Sequence, residues 1–187
     1  EMNLARVEYY LSDYLSVIES RDWYDDGIET SPIVQVKDED CDEKREYGLP
    51  ENLYIIGTVN MDETTYPFSK KVLDRANSIE FNDINLKAYM TKQAEQNVEP
   101  IEVSNKHFVS EYLYFKDIYP QHEGIIERVS TQLEKMNEQL KEIYAHVGYR
   151  VRDEICFYMI YAQDTDLTED EAMDFCVMQK ILPRISG

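Results

Sequence analysis

With 187 residues, 43% of them hydrophobic and 30% charged, the chain has the balance of a soluble globular sequence, long enough for one core or two small ones. Nineteen basic against thirty-eight acidic residues give a net charge of -19, which suits solubility and excludes a basic nucleic-acid footprint on this segment. Cys41, Cys156 and Cys176 form neither a C-x-x-C pair nor a disulfide framework, His107, His122 and His146 lack zinc spacing, and no apolar run approaches the roughly eighteen residues of a membrane span, so a reducing cytoplasm is the expected setting.

In chain order, Leu4, Val7, Leu11, Leu15 and Ile18 recur at helical spacing and predict an amphipathic helix over residues 3–20. Asp25-Asp26-Gly27 reads as a turn and Ile33–Val36, after Ser31-Pro32, as a strand. The charged stretch 38–47 reads as an exposed hairpin or loop. The continuous apolar run Leu53–Gly57 predicts a strand buried on both faces, as in a parallel sheet, and Ser78–Phe81 predicts another. Residues 95–100 look like a linker, which divides the chain into an α/β part over 1–90 and a helical part over 91–187. In the second part Val129, Leu133, Met136, Leu140, Ile143 and Val147 predict one long helix stopped by Gly148, with its apolar seam packed inside the domain or against another chain. Val151, Ile155, Tyr158 and Met159 mark a further helix, and Thr168 with Glu171 opens the last one, ended by Pro183.

Two blocks carry a resemblance. Gly57-Thr58-Val59-Asn60-Met61-Asp62, followed by Val72-Leu73-Asp74-Arg75-Ala76, resembles the sensor-1 strand and arginine finger of AAA+ NTPases, and more narrowly those of the McrB-like branch, the nucleotide-driven motors of modified-cytosine restriction systems. The opening residues from Glu1-Met2-Asn3-Leu4-Ala5 resemble the segment just after the Walker B aspartate there, while Gly148-Tyr149-Arg150 and the tail Gln179–Gly187 are similar to that branch's lid.

The resemblance implies an α/β plus all-α fold: the second half of an AAA+ P-loop core, then a helical lid. It implies that Glu1 polarises the attacking water, Asn60 positions that water, Arg75 reaches a neighbouring subunit's nucleotide, and Arg150 or Arg152 senses the γ-phosphate. Mg2+ and GTP or ATP would serve the complete protein and none is expected in this segment. The complete protein would form a ring, expected to be a hexamer, and drive an McrC-like nuclease subunit, with DNA contacted through other domains and no membrane involved. One departure is that the best-known McrB proteins carry several arginines where this chain has Asp74-Arg75-Ala76. None of the six glycines opens a Gly-x-x-x-x-Gly-Lys-Ser/Thr phosphate loop. The chain, starting in mid-motif on Glu1, is therefore expected to be the carboxy-terminal part of a longer protein and to be inactive alone.

Each of these residues also has a plain structural reading. Glu1 can be a disordered terminus, Asn60 a turn former, Arg75 the partner of Asp74 or Glu80, and Arg150 and Arg152 surface residues bridged to Asp153 or Glu154. Asp62 and Glu63 read as solvated loop carboxylates rather than a metal pair, and the fifteen tyrosines, lacking basic neighbours, as core and interface residues. Together these readings describe a non-enzymatic acidic helical interaction module, the alternative to the motor.

Overall fold

The stripe Leu4, Val7, Leu11, Leu15, Ile18 folds not as one helix but as two short ones, α1 (Val7–Tyr10) and α2 (Ser12–Val17), each flanked by a 3-10 turn, at Met2–Leu4 and Ile18–Ser20. This computed structural model describes residues 1–25, 27–37, 44–60, 64–81, 84–87 and 99–185. The helical axis breaks at Leu11, whose backbone leaves helical geometry although its N–H still reaches Val7 O at 3.0 Å. Ahead of α1, Ala5 is extended, because Asn3 is drawn away to hold a distant segment. Val7 and Leu15 bury their side chains with Val72, from the four-residue helix α3 (Lys70–Leu73), in a small core that Met2, Leu11, Ile18 and Phe68 flank.

Two antiparallel hairpins come after α2. Strand β1 (Asp22–Tyr24) pairs with β2 (Gly27–Glu29), Trp23 opposite Ile28, with Gly27 at φ +132°, a conformation open to glycine. Strand β3 (Val34–Lys37) pairs with β4 (Lys44–Tyr47) in register Val34 to Tyr47, both strands exposed, as the charged composition predicts. Residues 38–43, including Cys41, lie outside the described residues, as do Asp26, Met61, Asp62, Glu63 and most of the expected linker.

The expected strands at Leu53–Gly57 and Ser78–Phe81 are not hydrogen-bonded strands here. A strand exists by its neighbours, and the sheets among the described residues are the two hairpins alone. The apolar side chains of these runs stand in solvent, with Ile56 94% and Phe81 91% exposed.

The larger core lies in the second half. Helices α4 (Phe115–Ile118), α5 (Glu123–Leu140), α6 (Tyr149–Ala162) and α7 (Glu169–Cys176) bury Ile118, Val129, Leu133, Val151, Ile155, Met159, Ala172 and Cys176 together. The seam that predicts a helix running to Val147 in fact stops at Leu140. Asn137 turns its amide onto Val147, donating to the carbonyl at 3.0 Å and accepting from the N–H at 2.9 Å, which folds the chain back and buries Ala145 and Val147. The reversal places Tyr144 at φ +58°, a strain of roughly 1–2 kcal/mol. Gly148 accordingly precedes α6 as its N-cap rather than ending α5. The capping box on α7 forms as the sequence predicts, Glu171 accepting from Thr168 N–H at 2.9 Å. The free thiols Cys156 and Cys176 are buried, which pushes them up to about 11 and about 12 and makes them poor nucleophiles.

Ile155→Ala, which empties the centre of the helical core, should cost about 2–5 kcal/mol in urea unfolding. A pH dependence is expected from Asp117, which accepts from the N–H groups of Leu113 at 2.8 Å and Tyr114 at 2.7 Å and from the Trp23 indole at 3.4 Å. Burial alone would raise its pKa, but these donors hold it below the ordinary carboxylate value. A carboxylate lowered on folding stabilises above its unfolded pKa of about 3.9 and loses that contribution as pH falls through the lower folded value. The wild type should therefore lose more stability than Asp117→Asn below about pH 4, read from paired urea midpoints across the acid range.

Candidate functional site

The first element of the site is built by a buried amide. Asn3 is fully buried, and such a group must find partners. Its Nδ2 donates to Asn60 O at 2.8 Å, its Oδ1 accepts from Asn60 N–H at 3.4 Å, and its own carbonyl accepts from Tyr66 N–H at 2.9 Å. Met2 N–H adds a bond to Thr58 O at 2.8 Å, and the Met2 thioether lies across Gly57, where any side chain would displace it. The Asn60 carbonyl accepts a further bond from Thr65 Oγ1 at 2.8 Å. The two segments that carry Glu1 and Asn60 are thereby laid side by side. Glu1 itself is exposed, with no cap bond from its side chain.

The second element centres on Glu19, a residue with no role in the sequence reading. Arg75, just past α3, points inward and pairs with Glu19, its side chain only 13% exposed. It also donates to Lys71 O. Arg150, at the start of α6, reaches the same Glu19 carboxylate at 2.8 Å. The adjacent Asp74 is taken instead by Arg184, at 2.5 Å. Burial, and next the Arg150 charge, depress the Arg75 pKa, with Glu154 opposing them; an arginine nonetheless stays protonated. Beside the pair, Glu8, Ser12, Ser16, Glu19, Lys71 and Arg75 line a cleft of about 300 Å³. Of its lining atoms Glu8 Oε2 and Arg75 Nε are buried without a hydrogen bond, as is Ser69 Oγ at the N-cap of α3.

Arg152 is set apart from this cluster. It is bound to Asp153 through Nε at 2.8 Å and lies over the Phe115 ring at 4.1 Å and the Tyr149 ring at 5.0 Å, so its charge is committed to the surface of the helical half. The structure thus joins Arg75 with Arg150, joins the Glu1 segment with Asn60, and leaves Arg152 in a local stack. Among the described residues no cluster of three or more His, Cys, Asp or Glu side chains could hold a metal ion. No helix among them is long and apolar enough to cross a membrane.

Sequence reasoning overlooked Asn3, Glu19, Lys180 and Arg184. A signal for Glu19 existed: Glu8, Ser12, Ser16 and Glu19 fall at spacings of four, four and three, a polar stripe beside the apolar one, and all four line the cleft.

Residues 97–187, the helical half, match the family described as "Domain of unknown function (DUF8727)". That description names no activity. No curated protein matches the chain, and no solved structure does.

Glu19→Gln should loosen both arginines at once. A partly buried bridge lies between an exposed pair and a fully buried one, so a loss of about 1–2 kcal/mol is expected in denaturant unfolding, shrinking in molar salt where the wild-type advantage is screened. An unchanged midpoint at low salt would show that the bridge contributes nothing.

Proposed function

We propose that this chain is the second half of the α/β core and the helical lid of an McrB-like AAA+ NTPase, the motor of a DNA restriction complex. The observation that carries the reading is the reciprocal hold of Asn3 on Asn60, reinforced by Met2 on Thr58, which brings the segment resembling the end of a Walker B strand against the segment resembling sensor 1. In such a motor these residues act on one water from two adjacent strands. The exposed apolar runs at 53–56 and 79–81 support the same reading, since side chains bare on both sides of a strand-grade sequence suit a sheet with further strands and a covering layer.

On this reading the complete protein binds Mg2+ with GTP or ATP, forms a ring expected to be hexameric, works in the cytoplasm with an McrC-like nuclease subunit, and touches DNA through other domains. Glu1 polarises the attacking water and Asn60, able to accept from water and donate to phosphate, orients it. Arg75 neutralises charge developing on a neighbouring subunit's phosphoryl group, and Arg150, by the resemblance of Gly148-Tyr149-Arg150 to that branch's lid, is the phosphate sensor, while Arg152 lies against Asp153 and two aromatic rings. Arg75 and Arg150 are both held by Glu19 and must leave it to meet phosphate.

A second reading is favoured by one observation, the inward pairing of Arg75 with Glu19 at 13% exposure. There the arginine is a structural staple and the chain a non-enzymatic acidic helical module. The two separate in the complete protein. For the motor, Arg75→Ala should leave nucleotide binding intact and cut turnover by about 10³–10⁵. Mixing Arg75→Ala with Glu1→Gln protein should restore activity, since some interfaces then combine an intact Glu1 with an intact Arg75. A mixture as inactive as its parents, in rings shown to be mixed, would rule out action across the subunit boundary. A wild type that neither binds nor turns over nucleotide would favour the module.

A further inference from the structure

The carboxyl-terminal turns of the chain grip the segment that carries Arg75. α7 runs into a π-helical turn, Val177–Ile181, and then a 3-10 turn, Leu182–Arg184. From the first, Gln179 O accepts Ser78 N–H at 3.2 Å; from the second, Arg184 pairs with Asp74. These contacts flank Arg75 on both sides in sequence. The Arg184 side chain is only 3% exposed and its Nε donates to Lys180 O at 2.8 Å, which fixes the guanidinium before it meets Asp74. Lys180 in turn is buried, 4% exposed, and paired with Glu154 of α6.

The segment needs this support. α3 has four residues, a single turn, and a helix that short has no stability of its own. Val72 and Leu73 are buried, and past the helix end the N–H groups of Asp74 and Arg75 still reach Lys70 O at 2.8 Å and Val72 O at 3.0 Å, so what the tail adds is a hold on the Asp74 side chain and on Ser78. Asp74 is also the nearest carboxylate to Arg75 in sequence. Arg184 occupies Asp74, while the Arg75 guanidinium donates to Lys71 O and pairs with Glu19.

We infer that Arg184 is a positioning residue for Arg75, acting through Asp74, so that the tail of the lid fixes the backbone from which the finger reaches out. The inference rests on the motor reading above. A displacement of about 1 Å at a catalytic group can cost about 10²-fold in rate, which sets the expected scale.

The test is a double-mutant cycle on the complete protein, with kcat, KM and thermal midpoint measured for each variant. Arg184→Ala should lower kcat about 10²-fold with KM changed less than about twofold, because the finger acts on the transition state. Arg184→Lys, which keeps a charge for Asp74 but not the planar fork, should regain part of the loss. In the Arg75→Ala background, Arg184→Ala should cost no further turnover. Should Arg184→Ala fail to fold, Asp74→Asn breaks the same pair while keeping size and should give the same non-additivity. A full additional loss in the Arg75→Ala background, or a lowered thermal midpoint with kcat unchanged, would overturn the positioning role while leaving the motor reading in place. A wild type without turnover would overturn both.

Discussion

The amino-terminal half is organised around the hydrogen-bonding demand of one buried amide. A side-chain amide taken out of water costs several kcal/mol unless its donor and acceptor are met, and Asn3 meets both on the backbone of Asn60. In doing so it imitates a strand edge: one N–H given, one carbonyl engaged, at a place where no ladder is formed. Its own carbonyl then takes Tyr66 N–H, so both ends of the 60–66 segment are tied to a single residue of the amino-terminal turn. The consequences run outward from there. Residues 1–5 are pulled off the axis of α1, Met2 is laid over Gly57, and α3, just beyond the Tyr66 segment, is brought against Val7 and Leu15.

The helical half is held by different physics. Its core is apolar and contiguous, and its polar corrections are local: Asn137 on Val147, Thr168 with Glu171, Asp117 on α4. Between the halves the ties are mostly ionic or polar. Arg150 to Glu19, Arg184 to Asp74, Lys70 to Tyr144 O, and Tyr114 to Arg21 O at 2.9 Å join them, along with Ser78 to Gln179 O. Such contacts specify geometry more than they stabilise, since desolvation offsets much of the Coulombic gain where they are buried and screening weakens them where they are not. A junction of this kind fixes a relative position and can still be exchanged for another.

What could be read from the sequence divides along the same line. Helices with a long apolar period were legible: α6 and α7 lie where spacing and the Thr168 capping box place them, and the exposed β3–β4 hairpin accords with its charge. The exceptions have particular causes. α5 ends early because the amide of Asn137, four residues after Leu133 on the buried seam, captures a backbone ten residues on, and periodicity carries no trace of that capture. Leu53–Gly57 has the composition of a buried strand, but composition states a preference and pairing requires neighbours, which the described residues do not supply. In the site, Arg75 and Arg150 were visible individually through their motifs, whereas their common partner Glu19 was not, because a carboxylate one helical turn beyond Leu15 looks like any solvated residue until the polar stripe Glu8, Ser12, Ser16, Glu19 is traced.

Two guanidinium groups drawn to one carboxylate attract it and repel each other, and at Glu19 the Arg75 charge is disfavoured by burial and then by Arg150. Removing either arginine from the bridge therefore relieves a repulsion and leaves the carboxylate wholly to the other. If Arg75 swings out to a neighbouring phosphate, Arg150 is held more tightly and the helical half is drawn onto α2. If Arg150 leaves with a moving lid, Arg75 is the one secured. Competition for a single anion couples the two departures negatively, and by linkage that coupling has the same magnitude in both directions. On the motor reading proposed above, in a ring where the finger serves one nucleotide and the lid another, a carboxylate so placed would let each subunit release one of these contacts at a time.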